Sequence, residues 1–493
     1  MMDETTFSSG SMYSSGEEEL LASEGLRLSR STRWRERSRH VSYEPAMLLF
    51  CFALSLSGQS HTELTHQVMY QTCRLQGFER HDCLLVGTDA TPPGVEEIEA
   101  LVKPAAASVT MVIVVIKSVI PGFGALWLGA WSDRHGRKPV VVITSCGLLL
   151  TYFVHTGLNF VSSFVQLNPW YYVAAYVPFA VPGGMVVIGA AVFASLADVT
   201  NDHNRTFRMG FMKAAMLAGS LAGSFSSRYI LEWTGDTTLF VIATACVLVG
   251  VIYTGLYVED SIIPSSDSEL GSSLVELFST RSIEDIVQTA SRKRARYVWW
   301  ILSLVIGCLT LMELAAGYNL VEFTFTRHRF DWSLKQYSRF WAVENGLVVL
   351  ANILGVWALK SLFDCIDTLV ALVSIISAVV CATIKAFAVD GWQMYLATEI
   401  SFLRGMEMVA LLSVCAYFVP SNEIGKLYAL IFSVVGLVTL TSGPAFGFIY
   451  ESTVGRIPEF YNFAVAGICG GAFVMLGFLQ WLVNRRNQPE LLL

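Results

Sequence analysis

Apolar residues in this chain gather into long runs separated by short polar connections. A helix that crosses the hydrocarbon core of a bilayer needs about 20 mainly apolar residues, because only internally hydrogen-bonded backbone survives there. Ala105–Trp131, Val140–Leu158, Tyr171–Ala197, Leu239–Val258, Tyr297–Val321 and Phe340–Leu359 meet that requirement, as do Leu369–Val389, Trp392–Val419, Leu427–Tyr450 and Phe460–Val483. Two further runs are less clean. Pro45–His66 is apolar only in its first half, and Gly210–Ile230 is rich in small residues with Lys213 inside. Counting both predicts an all-α membrane protein of twelve spans.

Charge placement supports the even count. Lys and Arg concentrate in the connections that face the cytoplasm. Arg27 to Arg39 precede the first span; Arg134, Arg137 and Lys138 follow the second; Arg205 and Arg208 follow the fourth. Arg292 to Arg296 follow the sixth, and Arg485 and Arg486 the last. Asn159–Trp170 and Asp390–Gly391, on the other side, carry neither; Arg327, Arg329 and Lys335 after span seven are a mild exception. Both termini are expected in the cytoplasm. Met1–His40, rich in Ser, Glu and Arg, holds no apolar stretch able to insert and reads as a disordered tail rather than a signal peptide.

A long polar stretch, Glu259–Arg296, follows the sixth span. Gly219 and Gly223 in span five are matched by Gly443 and Gly447 in span eleven; small residues four apart let helices pack closely in lipid. Recurrence six spans later suggests a parallel repeat, although such spacing is also ordinary packing. The expected organisation is a tail (1–43), a six-helix bundle (44–258) with an external loop (71–104), a cytoplasmic linker (259–296), a second bundle (297–484) and a C-terminal tail (485–493).

Composition adds an exclusion. Of 493 residues, 54% are apolar and 15% charged, against about a quarter charged in soluble domains. The net charge of −7 says little where placement of charge decides, and without a basic domain a nucleic-acid partner is excluded. There is no phosphate loop, nucleophile–base motif or metal-ligand set, so neither an enzyme nor a nucleotide-driven pump is expected, and no cofactor.

After span two the chain reads Gly129-Ala-Trp-Ser-Asp133-Arg134-His-Gly136-Arg137-Lys138-Pro139. Gly129 permits close helix approach, Asp133 can accept charge-assisted hydrogen bonds, and Gly136 permits a tight reversal. The string resembles the major facilitator signature at every defining position. That resemblance implies two six-helix bundles rocking about a central cavity, with the aspartate in a cytoplasmic gate. A weak echo, Gly355, Lys360 and Asp364, follows span eight. Asp198 with Val199-Thr200, then Asn204-Arg205-Thr206-Phe207-Arg208-Met209, resembles solute carrier family 46; Glu44-Pro45 and Pro139 fit as well. The resemblance implies a proton-coupled carrier for organic anions such as folates, or for muramyl peptides or cyclic dinucleotides. Two positions depart from the folate-carrying branch: Lys213 stands where an acidic residue is linked to proton coupling, and Leu412 falls where a basic residue is placed. Family members join the first external loop to that between spans seven and eight by a disulfide. That second loop has no cysteine here, which leaves Cys73–Cys83 as the local pairing.

Ionisable groups within spans are costly and hence functional candidates. At about 100° per residue, Arg404 and Glu407 share one face of span ten, while Glu399 points elsewhere. They form either a self-neutralising pair or an Arg fork for an anion with Glu407 taking the proton. Glu313 and Glu344, in spans seven and eight, are candidate proton carriers or structurally satisfied carboxyls. Lys117 and Lys213 either attract an anion or are structural. Gln59, His61, Glu63 and His66 end the first span; Glu63 and His66, three apart, are an acid-sensing pair or interfacial decoration.

The expected partners are the bilayer, a small polar, anionic organic solute and protons. A facilitator or exchanger without protons, and a receptor without flux, are the rivals. Glu17-Glu18-Glu19-Leu20-Leu21 resembles an acidic dileucine signal, leaving plasma and lysosomal membranes both open.

Overall fold

The computed structural model describes residues 42–57, 62–79, 82–83, 86, 95–162, 164–234, 236–262 and 296–486. Most of the expected tails and linker therefore lie outside the described residues. Each apolar run falls on helix. The columns, numbered in chain order, are α1 (Glu44–Leu56, then Thr62–Leu75), α2 (Val95–His135), α3 (Arg137–Ser162), α4 (Trp170–Ala180, then Gly184–Val199), α5 (Asp202–Thr234) and α6 (Asp236–Tyr257). They continue with α7 (Arg296–Ala316, then Asn319–Phe330), α8 (Leu334–Leu350, a π turn Ala351–Gly355, then Val356–Ser361) and α9 (Asp367–Ala386). The last are α10 (Gly391–Ile400, then Glu407–Phe418), α11 (Ile424–Thr453) and α12 (Phe460–Arg486).

Nine helices among the described residues are long and apolar enough to cross a bilayer unaided. The remaining columns, α1, α5 and α10, are the short, polar or broken ones. Their protection comes from neighbours. At Gly219 and Gly223 of α5, an added Cβ would meet the backbone of α1 at Leu48 and Phe52, so the two helices touch backbone to backbone.

The second bundle does not reuse that device as expected. Gly447 faces open space, and the close approach there is made by Gly317 of α7 against the Ser442 backbone of α11. The repeat survives in the packing instead. α1 lies on α5 and α6, α3 on α6 and α2 on α4; correspondingly α7 lies on α11 and α12, α9 on α12 and α8 on α10. Across the middle, α2 and α4 meet α11, and α5 meets α8 and α10.

Both ends of the expected external loop are helical. The second helix of α1 ends at Leu75 and α2 begins at Val95, and a Cys73–Cys83 disulfide, with Cα atoms 5.6 Å apart, ties the end of α1 to the segment that follows it. Val68, Met69, Val86 and Val102 bury around it.

The signature motif joins the two halves. Gly129 sits against Ala429 of α11, where a side chain would collide. Asp133 then caps α11: its carboxylate accepts the backbone N–H groups of Gly425 and Lys426, each at 3.0 Å. Helix N-termini carry unpaired donors and partial positive charge, so a buried carboxylate is favoured there. Arg137, fully buried, pairs with Asp133 at 2.5 Å and Asp198 at 3.2 Å, and donates to Ser132 Oγ at 2.8 Å. Gly136 reverses the chain with φ of +103°, which lets Asp260 accept from the Arg137 N–H at 2.9 Å. Lys138 Nζ donates to the Gly255 carbonyl at 2.8 Å, and Arg134 is half-buried at the end of α2. Arg208 ties α5 to Glu44 of α1 at 3.2 Å, while Arg205 pairs with Asp202 at 2.8 Å on its own helix.

A second latch occupies the related position between α5 and α9. Asp367 pairs with Lys360 at 2.5 Å, and accepts from Thr206 Oγ1 at 2.6 Å and Ser413 Oγ at 2.7 Å. The weak sequence echo pointed to Asp364, which is exposed and 3.8 Å from His203 Nε2. Its latch residue is Asp367.

Asp133→Asn removes the charge and places an amide donor against the N–H groups of α11. A hydrogen bond to a charged group contributes roughly 1.5–3 kcal/mol, enough to shift an open-to-closed ratio by about ten- to a hundredfold. Cys381 and Cys469 should then become labelled severalfold faster by an impermeant thiol reagent applied to inside-out vesicles. Unchanged labelling would show that Asp133 does not hold this end shut.

Candidate functional site

Two cavities share part of one wall. The larger, about 260 Å³, is enclosed by α7, α8, α9, α10 and α12, with Glu344, Lys385, Arg404 and Glu407 in its wall. The smaller, about 190 Å³, lies where α5 meets α7, α10 and α11, and carries Lys213, Glu313 and Glu407. Met312, Ala316 and Glu407 belong to both walls.

The larger cavity is organised by a chain of four charges. Glu322 pairs with Lys385 at 2.6 Å; Lys385 also pairs with Glu344 at 2.7 Å; Glu344 pairs with Arg404 at 2.5 Å. One oxygen, Glu344 Oε1, serves both cations. Burying charge costs several kcal/mol per ion unless each is closely paired, and here two carboxylates and two cations sum to zero. Aromatic faces add to the enclosure, with Lys385 Nζ 5.0 Å from the Phe340 ring centroid and 5.3 Å from that of Tyr318. Exposure of the side chains rises along the chain from 0% at Glu322 to 13% at Arg404. Arg404 is therefore its cavity-facing end.

This arrangement corrects the expected Arg404–Glu407 face. The helical spacing does not apply, because α10 stops at Ile400 and restarts at Glu407. Gly405, at φ of +89°, turns the chain between them in a conformation that favours glycine. Broken backbone at membrane depth is tolerated where it borders a cavity. Arg404 consequently reaches Glu344 and the Cys381 thiol, at 3.1 Å, whereas Glu407 accepts from Ser374 Oγ of α9 at 2.6 Å. Both still border the same space.

Glu313 accepts from Thr439 Oγ1 of α11 at 2.8 Å. Lys213 is placed differently from every other cation near the cavities. Its ammonium rests 3.3 Å from the Met408 thioether, and no carboxylate among the described residues lies within ion-pair distance. Lys117 sits 5.2 Å from the Tyr176 ring centroid and borders neither cavity; nor does Glu399, which is exposed on α10. Gln59 and His61, and the side chains of Glu63 and His66, lie outside the described residues. No group of three or more potential metal ligands occurs among the described residues.

Sequence reading missed Glu322 and Lys385. Glu322 directly follows the apolar run Tyr297–Val321, and Lys385 lies four residues from the end of Leu369–Val389, so both read as span ends. The available signal was a pair of isolated opposite charges at the C-terminal ends of spans seven and nine.

Comparison with known proteins places this geometry. The Major Facilitator Superfamily profile matches residues 98–444. The chain is 28% identical to the probable peptidoglycan muropeptide transporter SLC46 of Drosophila melanogaster, over 90% of this chain and 86% of that protein. It is 26% identical to the proton-coupled folate transporter of Rattus norvegicus, covering 89% and 91%. With the rat lysosomal proton-coupled steroid conjugate and bile acid symporter SLC46A3 it shares 24% identity, covering 86% and 91%. Among solved structures, the human organic anion transporter MFSD10 superposes with a TM-score of 0.64 at 14% identity, covering 90% of this chain and 99% of that one. The Escherichia coli fucose:proton symporter FucP gives 0.60 at 13%, covering 88% and 97%. These two likenesses concern the fold. A buried aspartate capping the facing bundle, two related six-helix packings and full-length similarity to known carriers agree: the chain is a transporter, not an enzyme, and belongs to the major facilitator superfamily as a member of solute carrier family 46.

Proposed function

We propose that the chain is a proton-coupled symporter of a small organic anion, which it holds in the paired cavities and moves by alternating access. Lys213 is the observation that carries this reading. A lysine at the edge of a cavity, with only a thioether against its ammonium among the described residues, is an open electrostatic site for an anion. Arg404 supplies a planar donor set on the adjoining wall, suited to a carboxylate or phosphate. Glu407 and Glu313, each bonded to a neutral hydroxyl, leave carboxylates beside the same space.

The relatives support the same chemistry. They are named for folate, for steroid conjugates and bile acids, and for muropeptides, and acidic groups recur across those classes. Lys213 stands where the folate-carrying branch places an acid, which favours a cargo other than folate; a muropeptide is the leading candidate. In this reading residues 44–258 and 297–484 are the two moving bundles, both termini are cytoplasmic, and the molecule resides in the plasma or lysosomal membrane. The latches at Asp133 and Asp367 close its cytoplasmic end while the cavities await cargo from the other.

Proteoliposomes offered radiolabelled muramyl dipeptide, folate, taurocholate and a cyclic dinucleotide should accumulate at least one of them only when a pH gradient is imposed. Equal flux without the gradient would indicate a facilitator, and binding without flux a receptor. Lys213→Ala should raise KM for the transported anion by about ten- to a hundredfold, the equivalent of one charge-assisted bond of roughly 1.5–3 kcal/mol. An unchanged KM would place Lys213 outside the cargo site.

A further inference from the structure

We propose that the carried anion and the driving proton exchange at one atom pair: the anion takes Arg404 from Glu344, and Glu344 takes the proton. This rests on the symport reading and assigns its coupling residues.

The argument begins with the shared oxygen. Glu344 Oε1 is held by Lys385 at 2.7 Å and by Arg404 at 2.5 Å, and Lys385 is held in turn by Glu322 at 2.6 Å. Arg404 is the member most exposed to the cavity, so an arriving carboxylate or phosphate meets it first. If the anion pairs with Arg404, the four-charge chain becomes three negative groups and two cations in a poorly solvated wall, while Glu407 stays on Ser374 and Lys213 on Met408. One unit of negative charge is then uncompensated, which the low dielectric makes costly. Uptake of a proton restores neutrality: Glu344 becomes a carboxylic acid, Lys385 remains with Glu322, and Arg404 remains with the anion. No covalent bond other than the new O–H forms, and none breaks.

The other carboxyls are less suited. Glu322 is fully buried, lies outside the cavity wall, and keeps both Lys385 and the Tyr337 hydroxyl, at 3.4 Å. Glu407 is bonded to Ser374 and loses nothing when Arg404 changes partner. Around Glu344, the groups brought by packed elements are Glu322 and Tyr318 from α7, Lys385 and Cys381 from α9, and Arg404 and Glu407 from α10. α5, which also packs on α8, brings Lys213 to the adjoining cavity, and Tyr337 belongs to α8 itself. Only Glu344 both borders the cavity and surrenders a cation to the cargo. Because binding linkage is reciprocal, protonation of Glu344 also frees Arg404 and strengthens anion binding.

Calorimetry on the purified full-length chain tests this, using muramyl dipeptide, folate and taurocholate in two buffers of different ionisation heat. The wild type should take up about one proton for each anion bound, as the linkage requires. Glu344→Gln, which mimics the protonated carboxyl, should bind the same anion with no proton uptake and an affinity independent of pH. Glu322→Gln, which leaves the Glu344–Arg404 pair in place, should keep the wild-type proton count. Unchanged proton uptake in Glu344→Gln, or its loss in Glu322→Gln alone, would overturn the assignment while leaving the symport reading intact. A wild type that binds these anions without a proton would overturn the coupling, and one that binds none of them would overturn the cargo site together with it.

Discussion

A bilayer gives an unpaired polar group nowhere to turn, and that constraint shapes this molecule from its helix count to its charges. Backbone donors and acceptors must be satisfied within each span, so the chain is helical wherever it meets lipid. Where it departs from regular helix, it does so next to a cavity or against a neighbouring helix. The breaks in α7 and α10 and the π turn in α8 all lie in the second bundle, around the larger cavity or beside it. The first bundle is interrupted too, in α4, where Gly183 and Gly184 take positive φ and lie against α2.

The same constraint explains why the charges come in closed sets. Asp133, Arg137 and Asp198 form one set at the motif end, and Lys360 with Asp367 forms its counterpart. In the first, the helix N-terminus of α11 supplies the extra positive field; in the second, Thr206 and Ser413 supply neutral donors. The two halves thus pair buried charge at related positions with different chemistry. Glu322, Lys385, Glu344 and Arg404 form a third set, but this one touches the cavity. A closed set next to a binding space can be opened by a ligand of the right sign, and that distinguishes it from the other two.

Among the described cations that line the two cavities, Lys213 is the exception. It lies outside all three sets, and its charge is turned towards the smaller cavity. The helix that carries it is also the least apolar of the columns, and α1 shields it through Gly219 and Gly223. Packing that tolerates a polar helix therefore also makes room for a lone cation at the centre.

The motif residues were legible because their spacing is local: Gly129, Asp133, Gly136 and Arg137 lie within one helix end and one turn, where the chain itself sets their separation. The apolar runs were legible for a similar reason, since bilayer thickness is written directly as run length. Even so, periodicity misplaced the partners of Arg404, because it assumed an unbroken helix through Gly405, and it passed over Glu322 and Lys385 as span ends. Run length and local spacing specify an all-helical membrane chain, the Asp133–Arg137 pair of the signature and the class of protein. Which charge faces which is settled by how the helices pack, because those pairs join residues from 41 to 63 positions apart on different helices, and neither composition nor local spacing constrains how helices turn towards one another.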